Sequence, residues 1–307
     1  MLARSALLAV ALSFGSLATE LSAQQPERVP VLGVLMLSAG SDDPVVGSMR
    51  RGLHDLGYVE GRDFRIEHRV AEGRSDRLPR LADELVRLKV DVIVTGSDQT
   101  TRAAKEASSS IPIVAIWYND DPVDSGFIER FNRPGGNITG LTVRNSELAG
   151  KRLELLKESL PRLSRVAVFW DAQGRRELEE LRRAAPAFAV ELQSIELQPP
   201  YDLDAAFKAA KRNKAGAIMV LASTELYVRC AILGARALQN NFAVSSSFHA
   251  LTQAGGLMSY TTDPVDGYYR AAYFIDRLLK GAKPSDLPFE TANVRLALNL
   301  KTPNGSG

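Results

Sequence analysis

The feature that most constrains this chain is a change of hydrophobic period that recurs along nearly its whole length. Short continuous apolar runs alternate with stretches whose apolar residues return every three or four positions. Apolar runs of this kind suit strands buried on both faces, and the stretches between them suit covering helices, which together is the pattern of a parallel sheet. Val31 to Leu37 predicts the first strand. Asp43-Pro44 opens a helix that runs to Leu56 and closes at Gly57, where a residue without Cβ takes the left-handed conformation readily. Phe64 to Val70 alternates as a second strand, and Leu78, Leu81, Leu85 and Leu88 mark one apolar helix face, with Pro79 tolerated in the first turn. Val90 to Thr95 and Ile111 to Trp117 read as the next two strands, separated by a helix from Thr100 to Ala107.

After the turn at Gly135-Gly136-Asn137 and a short run from Ile138 to Val143, the pattern restarts. A helix carrying Leu153, Leu156 and Leu160 leads to a strand at Arg165 to Trp170, a helix from Arg175 to Phe188 and a strand at Val190 to Leu197. Helices at Asp202 to Arg212 and Glu225 to Leu238 then alternate with strands at Ala217 to Ala222 and Phe242 to Ser246. The two halves share one grammar: Val31 to Leu37 matches Arg165 to Trp170, Val90 to Thr95 matches Ala217 to Ala222, and Ile111 to Trp117 matches Phe242 to Ser246. The 307 residues are about twice the commonest domain size. The expected fold is therefore α/β, with two doubly wound parallel-sheet lobes joined by a hinge. Each such sheet presents its crevice at the carboxyl ends of its strands, which places a shared cleft between the lobes.

The first residues follow different rules. Arg4 precedes an apolar run from Ala6 to Leu17, and Leu21-Ser22-Ala23 reads as a cleavage site. Residues 1–23 are thus expected to be a secretory signal peptide, too short in its apolar run to span a bilayer, so the mature protein is expected in the periplasm. Cys230 is the only cysteine, which excludes an intramolecular disulfide, and no cysteine follows the apolar run to carry a lipid. A net charge of +2, with Lys and Arg dispersed along the chain, gives no electrostatic footprint for nucleic acid.

Catalytic signatures are missing from the sequence. It contains no phosphate loop, no Gly-x-Gly-x-x-Gly after the first strand, no nucleophile elbow and no His-Glu-x-x-His pair, and no cofactor or metal is expected. His54, His68 and His249 are far apart, and the carboxylate neighbours Asp42-Asp43 and Asp120-Asp121 read as helix capping and loop solvation. What remains is a set of polar loops after the proposed strands. Ser97, Asp98, Thr100 and Thr101 open a helix and either receive a carboxylate or simply cap. Trp117, Tyr118 and Asn119 follow the fourth strand, their rings set either at the cleft mouth or in the core. Ser223, Thr224 and Glu225, with Ser247 and Phe248, occupy matching places in the second half, and Ser38 and Asn145 complete the candidate ligand-binding set.

A specific resemblance emerges from motifs in fixed order. They include Leu56-Gly57-Tyr58-Val59-Glu60-Gly61-Arg62, Asp76-Arg77-Leu78-Pro79, Ile111-Pro112-Ile113-Val114, Asp121-Pro122-Val123, Arg133-Pro134-Gly135-Gly136-Asn137-Ile138-Thr139-Gly140, Gly256-Leu257-Met258-Ser259-Tyr260 and Lys280-Gly281-Ala282-Lys283-Pro284. From about Arg28 to Leu300 the chain resembles the ABC-transporter substrate-binding family related to tryptophan- and tyrosine-binding receptors, whose fold is the type I periplasmic binding protein. The resemblance implies a monomeric receptor that closes on a small-molecule solute and docks on an ABC permease. It also implies three crossovers, with the helix from Asp266 to Leu279 returning to the first lobe. On that reading residues 28–141 plus 259–284 form lobe 1, residues 142–258 plus 285–300 form lobe 2, and 301–307 is an irregular, truncated or frame-shifted tail. By position in the family pattern, the Ser97 to Thr101 loop is the carboxylate-binding turn and Asp121 lies in the Asp-Pro-Val motif; Asp121 is further expected to accept an ammonium. An amino acid or aromatic carboxylate is the expected solute. Asp98 stands where the family commonly has a neutral residue, which leaves the charge of the solute open. A sensor module acting on a membrane receptor, or a two-domain transferase, are the rival readings of the same architecture.

Overall fold

The computed structural model describes residues 28–38, 43–118 and 121–301. The expected signal peptide, Asn119 and the tail beyond Lys301 lie outside the described residues. The first sheet contains β1 (Val31–Met36), β2 (Arg65–Val70), β3 (Val92–Thr95), β4 (Ile113–Tyr118) and β5 (Ile138–Thr142). The second contains β6 (Arg165–Trp170), β7 (Glu191–Glu196), β8 (Ala217–Val220), β9 (Ala243–Ser246) and β10 (Met258–Thr262). Two late strands, β11 (Glu290–Thr291) and β12 (Val294–Leu298), complete the first and second sheet respectively. The sheet orders are β11-β5-β4-β3-β1-β2 and β12-β10-β9-β8-β6-β7, so each lobe is wound in the same 2-1-3-4-5 sense and the repeat is one of topology. All pairings are parallel except that of β10 with β12.

The continuous apolar runs divide by alternation between two helical layers, because successive side chains of a strand point to opposite faces. In β1, Leu32, Val34 and Met36 pack on α1 (Pro44–Asp55) and α10 (Pro264–Leu279). Val31 and Leu35 pack instead on α2 (Leu78–Arg87) and α3 (Asp98–Ala107). The second sheet repeats this arrangement, with Val166 and Val168 against α4 (Asn145–Ser159) and α5 (Arg175–Ala184), and Ala167 and Phe169 against α6 (Leu203–Arg212) and α8 (Cys230–Gln239). Cys230 is buried there, and burial pushes its thiol up to about 12, so it behaves as a small apolar residue.

Several boundaries differ from the sequence reading. The helix expected from Glu225 to Leu238 is broken into α7 (Thr224–Tyr227) and α8, because the backbone turns at Arg229, whose guanidinium folds back onto the Glu225 carbonyl at 2.6 Å. The helix expected to reach Phe188 tightens to a 3-10 turn at Ala185–Phe188, where Pro186 supplies no N–H. The Ser- and Thr-rich β10 carries no clear apolar period, yet it is buried under α4 and α9 (His249–Gln253) and pairs within the second sheet. Residues 259–262, expected in lobe 1, therefore belong with the second sheet, and Glu290–Thr291, expected in lobe 2, pair with β5 in the first. The chain passes between the sheets three times, after β5, after β10 and after β11. Among the described residues no helix is long and apolar enough to cross a membrane.

A candidate ligand cleft between the two sheets

The carboxyl ends of β1, β3, β4, β8 and β9 converge on a narrow cleft, partly open to solvent, with a cavity volume of about 70 Å³. That is below the range of about 300–1,000 Å³ typical of small-molecule sites. Met36, Leu37, Ser38, Asp43, Gly96, Trp117 and Tyr268 line it from the first lobe, and Ser223, Thr224, Tyr227 and Phe248 from the second. Four aromatic rings, Trp117, Tyr227, Phe248 and Tyr268, stand in its walls. Tyr227 and Phe248 meet edge to face at 5.6 Å. Tyr268 is buried, its hydroxyl donating to the Met36 thioether at 3.1 Å, and burial raises its ionisation well above the usual phenol range. Gly96 is the floor of this arrangement, because a Cβ there would fall on the Tyr268 hydroxyl and within 2.9 Å of the Met36 sulfur.

Trp117 answers both readings of its ring, since it packs against the first hydrophobic core and lines the cleft. The backbone around it explains how. The β4–β5 register runs Ala115 to Gly140 and then Tyr118 to Thr142, so β4 holds one extra residue, and Trp117 takes φ +63° in this bulge. A positive φ at so bulky a residue is an outlier that must be held in place by its surroundings, and such strain concentrates at functional positions.

The remaining predicted residues divide into those beside the cleft and those engaged elsewhere. Ser38, Ser223, Thr224 and Phe248 line it with Trp117. Ser97 and Thr100 form a reciprocal capping box at the start of α3, and the Thr101 hydroxyl bonds the Ser97 carbonyl at 2.8 Å and Thr95 Oγ1 at 2.7 Å. Asp98 lines a separate open recess with Gln99, Arg102 and Gln173. Asp121 Oδ1 accepts from Val123 N at 2.8 Å and its other oxygen lies 3.6 Å from Arg144, away from the cleft lining. Glu225 pairs with Arg229 at 3.0 Å. Asn145 and Ser247 belong to a buried network under the cleft, bonded to Arg152 and Glu177 respectively. The Tyr118 backbone pairs with Thr142 at the end of β4.

The reading of hydroxyl loops missed Asp43, Tyr227 and Tyr268. Asp43 had a legible signal: it caps the helix after β1, Oδ1 accepting from Val45 N at 3.0 Å, just as Ser97 follows β3 and Ser223 follows β8. Tyr268 had none, because it reaches the cleft from α10, 232 residues beyond Met36.

Burial pushes the Tyr227 phenol up to about 12, helped by the Asp43 and Asp263 charges. No group of three or more His, Cys, Asp or Glu among the described residues could hold a metal ion. His68 and His249 are half-buried, and desolvation holds both below the ordinary histidine value of 6.5. Each must gain a proton on unfolding in acid, so the stability they contribute is present above about pH 6.5 and lost as pH falls through their folded values. The melting temperature is accordingly expected to drop between pH 7.5 and 5.5, with a shallower slope in His249→Gln; equal slopes would count against this assignment.

Comparison with known proteins agrees with this architecture. A family model described as ABC transporter substrate binding protein matches residues 31–304. A tyrosine-binding protein of Clostridioides difficile is 23% identical over 244 residues, covering 78% of this chain and 70% of that protein. Among solved structures, an ABC domain in complex with L-Trp from Streptococcus pneumonia aligns with TM-score 0.80 at 21% identity, over 89% of this chain and 92% of that one. A substrate binding protein with adhesive properties from Clostridium difficile, in its ligand-free open form, aligns with TM-score 0.66 at 20% identity over 89% and 92% of the two chains.

Proposed function

Since this chain belongs to the ABC transporter substrate-binding protein family, a family of binding receptors and not of enzymes, we propose that it captures a small aromatic solute in the cleft between its lobes and delivers it to an ABC permease. On this reading it is exported by its N-terminal signal peptide and acts as a monomer. The observation that carries the reading is the cleft itself, walled by Trp117 and Tyr268 from one lobe and Tyr227 and Phe248 from the other. A solute that touches both walls gains its full set of contacts only when the lobes are together, so it shifts the hinge equilibrium toward closure. Relatives named for tyrosine binding, or solved with L-Trp, support an aromatic solute. Amino acids and aromatic carboxylates are the first classes to test. Micromolar affinity, about −8 kcal/mol, is ample for such a receptor.

The test is a thermal-shift screen of the mature chain against amino acids, aromatic carboxylates, amines and amides. A true ligand at about 100 times its dissociation constant adds roughly 2.7 kcal/mol of stability and raises the melting temperature visibly. Trp117→Ala is expected to abolish that rise while the unliganded protein remains folded. A flat response across all aromatic members would sink the aromatic reading, and a full shift in Trp117→Ala would remove Trp117 from the site.

A further inference from the structure

We propose that the cleft selects an aromatic amine, positively charged and without a carboxylate, seated on the rings of Trp117, Tyr227, Phe248 and Tyr268 with its ammonium toward Asp43. The proposal rests on the reading of this cleft as the solute site and adds the charge of the solute. The first ground is the lining. Its one charged side chain among the described residues is Asp43, and aromatic faces attract cations and not anions. The chain between Ser38 and Asp43, and between Tyr118 and Asp121, contains no Lys, Arg or His in its sequence.

The second ground is that the loop donors at the ends of β3, β8 and β9 are engaged. Gly96 N and Ser97 N both donate to Thr100 Oγ1, at 3.1 and 3.0 Å, and Thr100 N donates to Ser97 Oγ. Across the cleft, the Ser223 hydroxyl donates to the buried Asp171 carboxylate, and both the amide and the hydroxyl of Thr224 donate to Gln173 Oε1 at 3.2 and 3.1 Å. Ser247 donates to Glu177 at 2.9 Å, and Phe248 N donates to Ser246 Oγ at 3.2 Å. A carboxylate entering here would lose its water and, apart from the Ser38 and Tyr227 hydroxyls and the Trp117 N–H, displace existing hydrogen bonds to regain partners, with Asp43 opposing it; burying a charge on such terms is costly. An ammonium meets Asp43 without breaking any of these bonds, since the Asp43 oxygen that caps Val45 is Oδ1 and no bond to Oδ2 is present among the described residues.

Three probes that share one ring separate the charges: tryptamine, L-tryptophan and indole-3-acetate, titrated calorimetrically into the mature full chain. Tryptamine is expected to bind about tenfold or more tighter than tryptophan, with indole-3-acetate weakest. Asp43→Asn, which keeps a good helix cap, is expected to weaken tryptamine about tenfold or more and to erase its advantage over tryptophan, with the unliganded melting temperature unchanged. Tryptophan or indole-3-acetate binding as tightly as tryptamine would overturn the charge assignment and leave the receptor reading intact, as would tryptamine binding unaltered by Asp43→Asn. If none of the three binds while a non-aromatic solute does, the aromatic cleft itself is wrong and this inference falls with it.

Discussion

Alanine at Glu177 is expected to destabilise the chain by about 3–5 kcal/mol, a large share of the 5–15 kcal/mol that a folded domain has. Glu177 and its partner Arg152 are 3% and 1% exposed, and they pair directly beneath the cleft. Arg152 donates to the Asn145 side chain at 3.2 Å, the Asn145 carbonyl at 2.7 Å and the Tyr260 carbonyl at 3.0 Å. Glu177 accepts from Ser247 Oγ at 2.9 Å and Ala222 N at 2.6 Å. One ion pair thereby ties α4, α5, the ends of β8 and β9 and the middle of β10 together. Burial lowers the Arg152 ionisation and Glu177 opposes that shift, so removing the carboxylate leaves a buried cation with no counter-charge. Replacing both residues with methionine should recover much of the loss, because well-packed apolar groups can match a buried ion pair. Denaturant unfolding of the two variants checks this. A Glu177→Ala chain within 1 kcal/mol of the parent, or a double variant no better than the single one, would contradict it.

Gly140→Ala is expected to cost several kcal/mol and to weaken solute binding at the same time. Gly140 lies opposite Ala115 at φ +141°, a conformation other residues rarely adopt, and an added Cβ would sit within 2.8 Å of the Ala115 backbone nitrogen and closer still to its carbonyl group. Positive φ of this kind costs on the order of 1–3 kcal/mol without glycine, and overpacking adds about as much again. The obstruction is backbone, which has no rotamer to yield, so β4 and β5 must part at the bulge that presents Trp117 to the cleft. Urea unfolding together with the thermal-shift response to an aromatic ligand measures both effects. A normal ligand shift in a destabilised Gly140→Ala would show that Trp117 keeps its place without the tight strand pair.

The fold was legible in the chain because burial on both faces leaves a mark on every strand. Runs such as Val31 to Leu37 and Arg165 to Trp170 are apolar throughout, and their order repeats in both halves. Where a strand is polar, as in β10, or only two residues long, as in β11, that mark is missing and the lobe boundary shifts. At the site, the principle that ligands gather at strand ends picked out Ser38, Trp117, Ser223, Thr224 and Phe248 beside the cleft. Ser97, Thr100 and Thr101 are engaged in a helix cap and Asn145 and Ser247 around a buried ion pair, because a hydroxyl or amide at a strand end serves such roles as readily as a ligand.

The sequence by itself determined the alternation of strands and helices, the doubling of the lobe and, through its motifs, the family. Only the tertiary structure decided which side chains face the cleft. Tyr268 arrives there on a helix that crosses back from the far end of the chain, Tyr227 is presented by a helix break, and Trp117 is turned by a bulge that follows the close approach of a glycine on the neighbouring strand. Periodicity records burial, which each element carries in its own residues; the direction of a side chain at a crossover depends on contacts between residues far apart, and no local pattern encodes it.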